Sequence, residues 1–194
     1  MARPFDSARR AELVDRTVDY AAQNGIATIA LRPLAAALGT TSRMLIHYFG
    51  TKERLVGLVL DALQPDLPEL LSEHARKGHA PAEAATGFWR DLTAGEQATR
   101  LRLLLQVMAL ALTQPDEYGR SARDAIVRWT GPLAGAFAEA GLDERTAAAR
   151  ATLLVSGLRG LALDRFLTGD RRRNDDAAAL LIAAATASIT RAGV

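Results

Sequence analysis

Two stretches near the N-terminus are too short for more than two turns of helix each, and the residues between and after them fix how they are joined. Residues 31–38 run into Gly39-Thr40-Thr41, and residues 42 to about 48 run into Gly50-Thr51. Pro33 is tolerable only because it falls in the opening turn of its helix, where no intrahelical N–H is lost. Glycine at 39 suits a tight turn, Thr41 can cap the second helix, and Thr51 can cap the one that follows. The pattern predicts a helix-turn-helix, two short helices on a corner.

The rest of the chain is punctuated in the same way. β-Branched residues are scattered, strict alternation is missing, and Ala, Leu, Arg and Glu dominate, so the fold class expected is all-α, with about nine helices. A first helix begins near Ser7, places Val14, Val18 and Ala21 on one face, and stops at Asn24-Gly25. A fourth starts at Thr51 and carries Leu55, Leu58 and Val59 toward Leu63. Pro65, Pro68, Gly78 and Pro81 then mark an irregular connector around a helical turn at 69–76. Longer helices fit 81–94, 96–113, 116–140 and 144–168, the third kinked or split at Gly131-Pro132. A last one is predicted over 174–191, with Asn174 as its cap and Asp175 and Asp176 at the positive end of its dipole. The expected division is an N-terminal three-helix helix-turn-helix domain with its linking helix, residues 1–60, and a helical ligand-binding and dimerisation domain, residues 61–194.

On a helical wheel Leu45 and Phe49 share one face of the second short helix, with Ser42 near them, while Arg43 and His47 point the other way beside Met44. The apolar side fits against Leu34, Ala35 and Leu38. The other side offers a guanidinium, an imidazole and a thioether, which suits the DNA major groove, where arginine bonds guanine O6 and N7 together. Arg43 is the expected base reader. Tyr48 and Lys52 flank the start of the next helix, where free N–H groups favour an anion, and are expected on phosphates; Arg32, at the start of the preceding helix, is placed for the backbone across the groove. Arg3, Arg9 and Arg10 are more simply read as solvated surface.

Charge agrees with this placement. The whole chain has 24 Lys+Arg against 22 Asp+Glu, but residues 1–60 hold eight basic and five acidic groups. A modest basic surplus therefore sits on the segment that carries the corner. Cysteine is absent, so there is no disulfide, thiolate metal site or cysteine nucleophile. The first residues lack the apolar run of a secretory signal, and the apolar stretches 103–112 and 177–187 fall short of the roughly 20 residues that span a bilayer. A cytoplasmic protein without cofactor, metal or membrane contact is expected.

The string GIATIALRPLAAALG (25–39) followed by TTSRMLIHYFGTKERL (40–55) closely resembles the DNA-binding domain of the tetracycline-repressor (TetR) family. The resemblance covers about residues 7–60 by motif, resting on Gly25, Ala35, Gly39, Leu45, Phe49, Lys52 and Leu55, and the remainder by helix pattern and length. It implies that Lys52 contacts phosphate and that residues of the recognition helix, Thr41, Ser42, Arg43, Met44, His47 and Tyr48 among them, face DNA. Two positions depart from the family: Ile46 stands where tyrosine is usual, and Ala30 where serine or threonine often caps.

One reading head captures little DNA, so a homodimer on a pseudo-palindromic operator is expected, its heads in successive major grooves. The last two helices are the candidates for the interface, through Leu154, Gly157, Leu158 and Leu161 on one and Leu181, Ala184 and Ala185 on the other; the resemblance also implies a four-helix bundle there. Trp89, Met108, Trp129 and Phe137 are candidates to line a pocket for a small-molecule effector, with Gln106 and Thr113 orienting it; the resemblance places effector binding in this region and implies a repressor released by it. An enzyme is not expected. His47, His74 and His79 are the only histidines, and no HExxH or phosphate-cradling glycine loop occurs. The rival reading is a helical interaction or small-molecule-binding module without DNA affinity.

Overall fold

The computed structural model describes residues 6–25, 30–64, 69, 70, 73 and 76–187. Helices are α1 (Ser7–Asn24), α2 (Leu31–Ala37), α3 (Ser42–Phe49), α4 (Lys52–Leu63), α5 (Pro81–Leu92), α6 (Gly95–Thr113), α7 (Pro115–Glu139), α8 (Glu144–Thr168) and α9 (Arg171–Thr186). Glu69, Leu70, Glu73 and Arg76 are also helical, and no strand occurs among the described residues. The all-α class follows directly. The chain forms two compact units, one of residues 1–64 with 99–125, the other of residues 65–98 with 126–194, so the boundary falls within α6 and again within α7.

In the first unit, local chemistry sets each helix end. Asp6 accepts from the Arg9 N–H at 2.9 Å to open α1, and Gly25 closes it at φ 80°, its N–H returning to the Ala21 carbonyl at 2.8 Å. Gly39 takes φ 64° after α2, a conformation that side chains with a Cβ resist. Thr41 then accepts from the Met44 N–H and Thr51 from the Arg54 N–H, each at 3.2 Å. Helix α1 packs on α2 and α4, α2 on α3, and α3 on α4. Leu13, Leu34, Leu45, Leu55 and Val59 are fully buried at the centre. Arg100 of α6 reaches back to the Ala62 carbonyl of α4 at 3.1 Å.

The cap of α2 is the weak point. Ala30 has the extended backbone of an N-cap, φ −115° and ψ 140°, but no side chain to accept from the first turn. Ala30→Ser is expected to stabilise the protein by about 1 kcal/mol and raise its melting temperature by about 2–4 °C. Thermal unfolding followed by circular dichroism checks this, and an unchanged midpoint means that no capping bond forms.

In the second unit α9 packs on both α8 and α5. One sequence expectation narrows here and another changes. Helix α7 runs unbroken through Gly131 and Pro132, so the pair does not split it. Helix α9 begins at Arg171, capped by Asp170, which accepts from the Arg173 N–H at 3.1 Å. Asn174 is therefore a buried interior residue and not the cap, its amide donating to the Asp170 carbonyl at 2.8 Å. The reason is Gly169, which ends α8 in the left-handed region, so that Asp170 follows at once with φ −77° and ψ 85°, outside the helical region and free to cap the next helix. Asp175 is drawn instead into a side-chain cluster, accepting from the Trp89 indole N–H at 2.8 Å and pairing with Arg165. The predicted extension of this helix beyond 187, like Arg3 and His74, lies outside the described residues.

Candidate nucleic-acid interface

Helix α3 is divided as its sequence requires. Leu45 and Phe49 are buried and anchor it, while Arg43, Ile46 and His47 are exposed and Ser42, Met44 and Tyr48 are half-buried. His47 and Tyr48 meet edge to face with ring centroids 5.4 Å apart, and Tyr48 leans on Phe49 at 6.4 Å. These contacts hold the aromatic end of the helix in place and leave the Arg43 side open. Ile46 is half exposed, at 50%. The exposed half of this side chain gains nothing from burial and leaves an apolar surface beside Arg43 and His47.

Around α3, Arg32 is exposed near the start of α2, and Thr41 is exposed with its oxygen engaged in the cap. Lys52, the first residue of α4, is not simply solvated. Its Nζ lies 3.1 Å from Glu117 Oε1 and 5.8 Å from the centre of the Tyr118 ring, both at the beginning of α7 in the same unit. Hydrogen bonding with Tyr118, and then with Glu117, raises the Lys52 pKa, so the ammonium keeps its charge throughout the neutral range. Sequence reasoning missed this pairing because 65 residues separate Lys52 from Glu117 and Glu117 belongs to no local motif. Arg9 is held by Glu12 at 2.6 Å, which fits the surface role expected of it.

No protein-family profile and no curated protein matches the sequence. Solved structures do match in fold. A TetR-family transcriptional regulator from Cytophaga hutchinsonii superposes with a TM-score of 0.73 over 95% of this chain and 97% of its own, at 17% identity. A TetR-family regulator from Rhodococcus gives 0.72 over 95% and 100%, at 18% identity. This chain has the fold of the TetR-family regulators. The multidrug binding protein EbrR, solved in complex with imidazole, has the same TetR-like fold, with a TM-score of 0.69 over 93% of this chain and 92% of its own, at 23% identity.

The residues proposed from sequence for the C-terminal functions are placed unevenly on this TetR fold. Trp89, Trp129 and Phe137 are buried in the second unit, whereas Gln106, Met108 and Thr113 belong to the first. Gln106 and Thr113 are exposed, on a stripe of α6 that also includes Arg102 and Ala109. Thr113 donates its hydroxyl to the Leu110 carbonyl at 3.2 Å. In the second unit the aromatic residues gather differently. Trp129 meets Phe88 edge to face at 5.5 Å and carries the Arg159 guanidinium 4.8 Å above its ring, and burial lowers that arginine's pKa to about 10. The Trp129 indole N–H is buried with no hydrogen-bond acceptor among the described residues.

Of the interface candidates, Leu154, Leu158 and Ala185 are buried within the chain. A Cβ on Gly157 would run into the Leu181 side chain, so this pair belongs to the seam between α8 and α9. Leu161 is half-buried and Ala184 exposed. The exposed leucines are others: Leu153, Leu163 and Leu167 on α8, and Leu180 on α9. With Ser156 and Gly160, which are also exposed, the α8 residues form one stripe at alternating spacings of three and four. Among the described residues no helix is long and apolar enough to cross a membrane, and no group of His, Cys, Asp and Glu could hold a metal ion.

Proposed function

We propose that this protein is a sequence-specific DNA-binding regulator of transcription that acts as a homodimer on a pseudo-palindromic operator and is released from it by a small-molecule effector. The observation that carries the reading is α3: a short helix anchored by Leu45 and Phe49, with Arg43, Ile46 and His47 turned to solvent. Arg43 reads a guanine, Ile46 packs on a thymine methyl, and Ser42, Met44 and His47 contribute beside them. Thr41, Tyr48, Arg32 and Lys52 contact phosphates and set the register of the helix in the groove. Residues 1–60 form the reading head, and 61–194 serve effector binding and dimerisation.

The effector site we propose centres on Phe88 and Trp129, which meet edge to face, with the buried Trp89 and Phe137 of the same unit as further lining candidates; the Trp129 N–H supplies the orienting donor in place of Gln106 and Thr113. EbrR, which shares the fold, binds small molecules that include proflavin, in keeping with this assignment. Dimerisation is assigned to the exposed leucines of α8 and α9 and not to the seam beneath them.

Salt dependence separates this reading from a helical module that does not bind DNA. Fluorescence anisotropy with a labelled duplex is expected to show affinity falling steeply as salt rises, because each neutralised phosphate contributes a slope of about −0.9. Lys52→Ala is expected to weaken all duplex sequences alike and to reduce that slope by about 2, one phosphate per protomer. Absence of binding at low salt contradicts the proposal as a whole.

A further inference from the structure

The lysine assigned to phosphate is already occupied. Glu117 Oε1 sits 3.1 Å from Lys52 Nζ, and the Tyr118 ring, buried to 3% exposure, forms one wall of the ammonium's surroundings. The approach of the two helices is tight beyond this point. A Cβ on Gly57 would stand 3.0 Å from Ser121 Oγ, so α4 and α7 stay close for at least a turn past the ion pair. Both charges persist near neutrality: hydrogen bonding with Tyr118, then Lys52, lowers the Glu117 pKa.

A carboxylate oxygen and a phosphodiester oxygen offer an ammonium the same kind of charged acceptor. They also repel each other, so the two cannot crowd one lysine without cost. We propose that Glu117 is a built-in competitor for the DNA backbone: it holds Lys52 in the free protein, and a phosphate must take the lysine from it when DNA binds. Glu117 thereby sets the affinity for every DNA sequence without touching a base. The inference rests on the phosphate role given to Lys52 above. It differs from a supporting role, in which Glu117 would aim the lysine at the phosphate and its loss would weaken binding.

A double-mutant cycle in the full-length protein decides the matter. Affinities of the parent, Glu117→Gln, Lys52→Ala and the double variant are measured by anisotropy for an operator recovered by selection and for a duplex of unrelated sequence. Glu117→Gln is expected to tighten binding to both by about fivefold, each protomer contributing the worth of one partly exposed ion pair. The gain is expected to vanish when Lys52 is alanine. Unchanged or weaker binding by Glu117→Gln, with Lys52→Ala still impaired, overturns the competitor role while leaving the phosphate contact intact. Unimpaired binding by Lys52→Ala removes the phosphate contact, and the inference with it. Glu117→Ala, with folding checked by circular dichroism, guards against an effect peculiar to the amide.

Discussion

Replacing Leu163 and Leu180 together by glutamate is expected to give a folded monomer whose operator affinity is reduced roughly a hundredfold, the usual scale of the advantage gained by linking two binding heads. Leu180 is 74% exposed and Leu163 45%, so neither substitution empties a core position, and the helical signal in circular dichroism should be retained. Four like charges brought to one two-fold interface oppose its formation. The neighbouring seam behaves otherwise. Leu158, exposed by 3%, is internal, and Leu158→Ala is expected to cost about 2–5 kcal/mol of stability by leaving a cavity. Sedimentation together with thermal unfolding distinguishes the two. A doubly substituted protein that stays dimeric places the interface elsewhere.

The second large effect concerns specificity. Arg43→Ala is expected to lose discrimination at one base pair of each half-site, by about tenfold or more, since a bidentate arginine–guanine contact is worth roughly 1–3 kcal/mol. Positions elsewhere in the operator should keep their preferences. Lys52→Ala, by contrast, should lower every affinity and leave the pattern of preference unchanged. Competition among single-base-pair operator variants measures both, and an unaltered profile for Arg43→Ala takes the reader role from it.

Much of the N-terminal helix-turn-helix was legible because its helix ends are written in residues with few alternatives. Gly25, Gly39, Thr41 and Thr51 each do at the backbone what their chemistry predicts. Helix α3 could be phased because its faces differ: two bulky apolar residues on one side, arginine and histidine on the other. Helices α8 and α9 offer no such contrast. Alanine and leucine occur on every face, so Leu154 and Leu158 could not be told from Leu153 and Leu163, and only packing shows which pair is covered. Gln106 shows a related ambiguity. A polar residue on an apolar helix reads as an orienting group, and in the fold it shares an exposed stripe of α6 with Arg102, Ala109 and Thr113. At α9 two good caps competed, and Gly169 decided for Asp170 over Asn174. The Lys52–Glu117 pair and the stacking of Arg159 on Trp129 are tertiary, and no spacing rule leads to either.

The most direct test of the account is selection by the full-length protein from a random duplex pool at low salt. The account predicts enrichment of an inverted repeat whose half-sites are centred about one helical turn apart, each with a conserved guanine that loses its importance in Arg43→Ala. A pool that emerges without any enriched sequence, or that is never retained, contradicts it.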